Sequence, residues 1–214
     1  MIRRWHRSAC IAAIALAAAT CTPTEPDRSD IYGFRLEPQN LVFRWPTGRL
    51  PVRYFAQNLG SFPDFVREGI TLWESQFLYG EFQGALVSDS SQADVVVTLQ
   101  GGTPPTAAPN DDPPLPACDG ATATPLADPA HLAGPIVIRV RWFNTFAPTD
   151  VVNCLARVTA HEIGHSLGLL QHSSENQDLM FATPTVTTPS TRDRSTVQTL
   201  YHTTPDILPA APAQ

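Results

Sequence analysis

Two histidines and a glutamate stand close together in the sequence, with His161 and His165 four residues apart and Glu162 directly after the first histidine. Residues four apart lie on the same face of an α-helix, so both imidazoles can bind one metal ion. The carboxylate of Glu162 then lies beside that ion, where it can act as a general base. This spacing predicts a zinc site carried by a helix.

A third ligand is predicted beyond Gly168, which follows His165 at the point where the chain must leave the helix and turn back. Glycine adopts positive φ angles without the steric penalty of a Cβ atom. The turn would bring His172 to the metal and leave a fourth position for water, as in catalytic zinc sites. Gln171 is the alternative ligand, but a neutral imidazole suits zinc better than a carboxamide oxygen.

The stretch from His161 to His172 resembles the metzincin zinc metallopeptidases, whose pattern is HExxHxxGxxH followed by a methionine turn. The pattern here is HExxHxxGxxxH, because Gln171 stands where the third histidine is expected. Met180 supplies the methionine of the turn. The serine after His172 and the sequence DLMF at residues 178–181 are similar to the matrixin branch of these enzymes.

The resemblance covers residues 49–202 and implies a zinc endopeptidase of extracellular or periplasmic proteins, in which a zinc-bound water attacks the peptide bond and Glu162 is the general base. It also implies that Met180 is an apolar floor beneath the metal and not a ligand. The pocket for the substrate side chain after the cleaved bond would be lined by Phe181, Ala182, Thr183 and Pro184.

Two other interpretations remain open at the level of the sequence. A different class of zinc hydrolase would use Glu175 or Asp178 as the third ligand, which the spacing of Met180 disfavours. A metzincin-like module without catalytic activity would bind a partner at the cell surface, which the intact Glu162 disfavours. Zinc is the expected cofactor of the favoured interpretation, with protein or peptide substrates.

Hydrophobic periodicity predicts the elements that must hold these residues. Apolar runs predict strands at residues 50–55, 81–87, 93–100, 121–126 and 136–142, with 121–126 at the sheet edge. Apolar residues at helical spacing predict helices at residues 61–80 and 149–168, and a last helix capped by Ser190 or Thr191. Together with the resemblance, these elements predict an α+β metzincin-like catalytic domain. It has a twisted mixed sheet of about five strands, an active-site helix, a second long helix and a C-terminal helix.

Composition limits the classes of protein that this chain can belong to. Its 214 residues, of which 43% are hydrophobic, suffice for one domain with a sizeable core. The net charge of −6 is spread without a basic stripe, so we expect no nucleic-acid partner. We expect a monomer.

The N-terminal residues predict export. Three arginines within the first seven residues precede an apolar run at residues 9–19, a pattern typical of a secretory signal peptide covering residues 1–20. Cleavage by ordinary signal peptidase is one alternative, and a lipobox-like sequence that ends at Cys21 is the other. The protein is therefore expected to be secreted, periplasmic or anchored as a lipoprotein through Cys21.

Two segments outside the predicted domain are polar and rich in proline. Residues 21–48 are expected to form a tether, although Phe34, Leu41 and Phe43 are apolar enough to pack. Residues 203–214 are expected to be a disordered tail.

The remaining cysteines and acidic residues add two expectations. With Cys10 and Cys21 lost or lipidated, Cys118 and Cys154 form an even pair that predicts a disulfide, the alternative being two buried thiols. The resemblance implies calcium in the proline-rich loop at residues 101–135, where solvated acids are the alternative. The carboxylates concerned are Asp111, Asp112, Asp119 and Asp128.

Overall fold

The computed structural model describes residues 30–104 and 116–210, and these residues form an α+β domain. The helices are α1 (Phe62–Glu74), α2 (Pro148–Ser166) and α3 (Thr191–Tyr201). The strands are β1 (Val52–Ala56), β2 (Gly84–Val87), β3 (Val95–Gly102), β4 (Cys118–Ala123), β5 (Leu126–Asp128), β6 (His131–Leu132) and β7 (Ile136–Phe143). Within the described ranges, no helix has the length and apolar character needed to cross a membrane. The predicted signal peptide, Cys21, Asp111 and Asp112 lie outside the described residues.

The main sheet contains five of the described strands in the order β2-β1-β3-β7-β4. The pairs β1–β2, β1–β3 and β3–β7 are parallel, whereas β4 runs antiparallel to β7 at one edge. Ile136, Ile138 and Val140 of β7 are buried and alternate with more exposed residues, as expected for a strand with one face on the core. The predicted fold class and the mixed sheet are confirmed.

Helices α1 and α2 pack closely on each other, and α1 thereby supports the element that carries the predicted ligands. A Cβ atom at Gly69 would lie 2.6 Å from Cδ1 of Ile163 and 3.3 Å from Cα of Ala160, so the helices approach at a residue without a side chain. The indole Nε1 of Trp73 donates a hydrogen bond to the Ala160 carbonyl oxygen at 2.8 Å. The buried side chain of Trp73 therefore helps to fix the position of α2.

Two predicted element boundaries were wrong. Helix α1 ends at Glu74 and not at Gly80, because Phe77 leaves the helix to pack on Tyr201 with ring centroids 4.8 Å apart. The edge strand β4 begins earlier than residue 121, at Cys118, where its register opposite β7 starts. In both cases a contact with a distant element overrides the local sequence pattern.

The predicted tether at residues 21–48 and the predicted tail at residues 203–214 need correction where the structure describes them. Phe43 and Trp45 are buried, and Trp45 Nε1 donates to the Ser166 carbonyl oxygen at 2.8 Å. Ile207 is also buried and forms a parallel bridge with Phe43. Because these apolar side chains cover the core, the described domain extends from residue 30 to residue 210.

Candidate metal centre and active-site cleft

His161 and His165 lie one turn apart in the last part of α2 and face the same side of the helix. Their ring centroids are 4.6 Å apart. His161 is only 3% exposed. The spacing of four residues therefore brings both imidazoles to one face of the helix, as the sequence predicts.

Hydrogen bonds to backbone carbonyls fix the protonation of both rings. Nδ1 of His161 lies 2.7 Å from the Leu179 carbonyl oxygen, and Nδ1 of His165 lies 2.5 Å from that of Leu169. Because a carbonyl can only accept, each Nδ1 carries the proton and each Nε2 keeps its lone pair. Burial lowers the pKa of His161 to about 4 and, together with the neighbouring His161, that of His165 to about 3. Both rings are therefore neutral at pH 7, the state that binds a metal ion.

His172 reaches these two histidines because the chain turns sharply after α2. Gly168 has a φ of 111°, and a Cβ atom there would collide with the Phe43 carbonyl oxygen. This confirms the prediction of a positive φ at Gly168. After the turn, Nε2 of His172 lies 3.2 Å from Nε2 of His165.

The donor set fits zinc. The candidate ligand atoms of His161, His165 and His172 all lie within 4.8 Å of one another, and among the described residues these three are the group that could hold a metal. A tetrahedral ion with zinc–nitrogen bonds of about 2.0–2.1 Å places its ligand nitrogens about 3.3–3.4 Å apart. The 3.2 Å separation between His165 and His172 is close to that value. Three imidazoles also leave a fourth position for a reactant.

Two of the three alternative ligands, Gln171 and Asp178, are engaged elsewhere. The amide Nε2 of Gln171 donates to the Arg35 carbonyl oxygen at 2.9 Å, so this side chain is held by the N-terminal segment. The carboxylate of Asp178 forms an ion pair with Arg192 at 3.2 Å. The geometry therefore favours His172 over Gln171 and Asp178 as the third ligand.

Glu162 is buried next to His161, and strand β4 holds its carboxylate. The hydroxyl of Thr122 donates to Oε2 of Glu162 at 2.5 Å. A Cβ atom at Gly120 would lie 2.6 Å from Oε1, so β4 can approach α2 this closely only at a glycine. Burial, and to a smaller degree Asp119, raise the pKa of Glu162 to about 7 against the opposing hydrogen bond from Thr122.

Met180 is fully buried and packs against α2 between the two helical histidines. A Cβ atom at Gly164 would lie 2.5 Å from Sδ of Met180, so a larger residue there would displace the methionine. The carboxylate of Asp193 accepts hydrogen bonds from the backbone N–H groups of Leu179 at 2.7 Å and Met180 at 3.3 Å. Asp193 also belongs to the capping box that begins α3 at Ser190, one of the two predicted caps.

A cleft with a volume of about 380 Å³ opens in front of these residues. It contains His161, Glu162 and His172, and its wall after the methionine includes Ala182, Thr183, Pro184 and Thr185. Phe181, which was predicted to line this pocket, is absent from the lining because its backbone forms a bridge with Ser173. Thr185 also lines the cleft, although the sequence analysis did not predict it as a pocket residue.

Comparison with known protein families agrees with this arrangement. The family model described as Matrixin matches residues 63–202, which include α1, the three histidines and α3. The chain belongs to the matrixin family. This membership identifies a domain of the zinc metallopeptidase type and zinc as its metal. A search of curated proteins gave no match.

Outside the metal centre, the matrixin domain contains a disulfide between Cys118 and Cys154. The bond connects the start of β4 to α2, so it joins the two elements that hold Glu162. Among the loop carboxylates, Asp119 pairs with Arg141 and Asp128 with His131. Calcium at these positions remains a prediction.

Sequence reasoning missed several residues that shape the site. Thr122 orients Glu162, and Asp193 holds the methionine turn, yet both are remote from the metal motif in sequence. Asp193 could have been found from its spacing of three residues after Ser190, which is a capping-box signal. Thr122 has no such signal, since its role depends on the register between β4 and β7.

Proposed function

We propose that this matrixin domain is a zinc-dependent endopeptidase that hydrolyses peptide bonds in proteins outside the cytoplasm. The observation that supports the proposal is the convergence of three neutral imidazoles beside a buried carboxylate in an open cleft. An ordinary helix surface does not combine these groups, because burying a carboxylate is unfavourable unless hydrogen bonds or a charge compensate for the lost water.

His161, His165 and His172 would hold zinc, which when bound supplies a Lewis acid that polarises the peptide carbonyl and acidifies water. Glu162 accepts the proton of the attacking water and passes it to the departing amine. The hydrogen bond from Thr122 keeps this carboxylate in one orientation between the two transfers.

Strand β4 is the proposed binding surface for the main chain of the substrate. It is the last strand of the described sheet order and pairs on one side with β7. An extended peptide can add to such an edge by backbone hydrogen bonds, with alternate side chains entering the cleft. Because β4 also carries Thr122, substrate and general base would share one rigid support.

The test is zinc content and casein hydrolysis for the wild type, Glu162→Gln and the control Glu68→Gln, whose side chain is exposed on α1. We expect Glu162→Gln to keep stoichiometric zinc and lose turnover, because the amide cannot accept the proton. Glu68→Gln should match the wild type, and chelation followed by zinc addition should abolish and restore hydrolysis. If the zinc-loaded wild type cleaves no peptide bond, the domain is a binding module instead.

We propose, second, that the protein acts after export. The arginines and apolar run of the first 19 residues support this location, as does the disulfide between Cys118 and Cys154, since such bonds persist in oxidising compartments. Fractionation of a bacterial host that expresses the full chain tests the location. A shift from the membrane to the soluble fraction in Cys21→Ser would identify a lipid anchor, and cytoplasmic wild-type protein would contradict export.

A further inference from the structure

One cation in the cleft lacks a partner among residues 30–104 and 116–210. Arg157 lies on α2 one turn before His161 and lines the same cleft as His161, Glu162 and His172. Its Nε atom is buried and has no hydrogen-bond partner. Buried N–H groups in proteins are almost always paired, so an unpaired one in a cleft marks a position for an acceptor from outside the chain.

The acidic groups that line this cleft are already bound to other residues. Asp119 accepts two hydrogen bonds from the guanidinium of Arg141, one of them from Nε at 2.7 Å. Glu162 accepts from the Thr122 hydroxyl. Neither carboxylate forms a hydrogen bond or ion pair with Arg157 in the described parts of the chain. Among residues 30–104 and 116–210, no carboxylate compensates the positive charge of the Arg157 guanidinium.

The other walls of the cleft are mixed in character. Thr183 and Thr185 offer hydroxyls beside Pro184, whereas Val158 and the disulfide between Cys118 and Cys154 are apolar. A planar guanidinium binds a carboxylate through two parallel hydrogen bonds, which are stronger than bonds to a neutral amide. Among the groups that line the cleft, Arg157 is thus the one that favours a carboxylate side chain over its amide.

We propose that Arg157 makes the cleft selective for peptides with an aspartate or glutamate next to the cleaved bond. This inference rests on the proposed peptidase function and adds a substrate class to it. Arg157 acts on binding through direct contact with the substrate, and the proton transfers of Glu162 are independent of it. The preference should be electrostatic, so it should weaken as the salt concentration rises.

The experiment measures peptide binding without turnover, by titration calorimetry on the full chain with Glu162→Gln and bound zinc. Two pairs of peptides carry Glu or Gln directly before or directly after the cleaved bond. In at least one pair we expect the Glu peptide to bind about 10- to 100-fold more tightly than the Gln peptide, as for hydrogen bonds to charged groups. Adding Arg157→Gln should remove this difference, and Arg157→Lys should restore part of it.

Arg67→Gln is the matched control, because Arg67 is an exposed arginine of α1 that pairs with Asp64 and lines a different cavity. It should keep the full preference for Glu. Equal affinity for Glu and Gln peptides, or a preference that survives in Arg157→Gln, overturns the proposal. If both peptides bind equally and the wild type cleaves casein, the selectivity fails while the peptidase function stands. If neither peptide binds, the selectivity also fails, and casein hydrolysis by the wild type decides the peptidase function separately.

Discussion

The two halves of the metal centre are built in different ways. His161 and His165 belong to one helix, and each donates from Nδ1 to a backbone carbonyl within the domain. His172 lies in the loop between α2 and α3, where its polar contact within the described part of the chain is with His165. A helix sets the distance between two ligands by its own geometry, whereas a loop ligand needs support from other parts of the chain.

That support comes from the N-terminal segment and from α3. The backbone N–H of Leu170 donates to the Phe34 carbonyl oxygen at 3.3 Å, and the Gln171 amide donates to Arg35. Tyr32 donates its hydroxyl proton to Asp193 at 2.7 Å, the carboxylate that also holds the methionine turn. The segment expected to be a tether therefore helps to position the third ligand.

The largest expected effects come from removing the ligands themselves. Both His161→Ala and His172→Ala should lose stoichiometric zinc on dialysis. The stabilities of the two metal-free variants should differ. His161→Ala leaves the buried Leu179 carbonyl unpaired and should lower the free energy of unfolding by about 1–3 kcal/mol. His172→Ala should change the free energy of unfolding little. Urea unfolding of the metal-free proteins makes this comparison. Equal destabilisation would mean that His172 is as integral to the fold as His161.

Asp193→Asn should have the next largest effect, because it removes a buried charge that accepts from Leu179, Met180 and Tyr32. We expect a loss of about 3 kcal/mol in unfolding free energy and a zinc affinity about 10- to 100-fold lower, as for other groups that orient ligands. Asp94→Asn is the control, since this buried carboxylate binds Arg49 and Arg53 away from the histidines. Zinc competition titrations should show normal affinity for it.

Asp94 also predicts a pH dependence of stability. Burial alone would raise the pKa of Asp94, but hydrogen bonds from Arg53 and Arg49 outweigh it and lower the pKa below the usual value of about 4. A lowered folded-state pKa stabilises the fold above the unfolded-state pKa, and this contribution is lost as pH falls through the folded-state value. The difference in unfolding free energy between wild type and Asp94→Asn should therefore shrink below about pH 4. A difference that grows on acidification would contradict this assignment.

Gln171→Ala should have the smallest effect. It removes one hydrogen bond, to the Arg35 carbonyl, and should lower the unfolding free energy by about 1 kcal/mol while stoichiometric zinc is retained. Gln92→Ala, at an exposed position, gives the baseline for such a truncation. Loss of zinc from Gln171→Ala would restore Gln171 as a ligand and remove the distinction between the two halves of the site.

Local patterns in the sequence were sufficient where one element contains all the interacting groups. The positive φ at Gly168 was predicted correctly, and the cap of α3 was narrowed to Ser190 or Thr191, because both depend on neighbouring residues. The end of α1 was misplaced because Phe77 packs on Tyr201, more than 100 residues away in the sequence. Short-range rules contain no information about such a contact.

The sequence by itself determined the metal motif, since helical spacing brings His161 and His165 together and a glycine turn returns the chain toward them, but it left the third ligand open. Only the tertiary structure favours His172 over Gln171, because Arg35 accepts a hydrogen bond from the Gln171 amide. It likewise decided that Thr122 contacts Glu162 and that Arg157 lines the cleft. These outcomes depend on which distant segments pack together, and burial of apolar surface across the whole domain governs that packing.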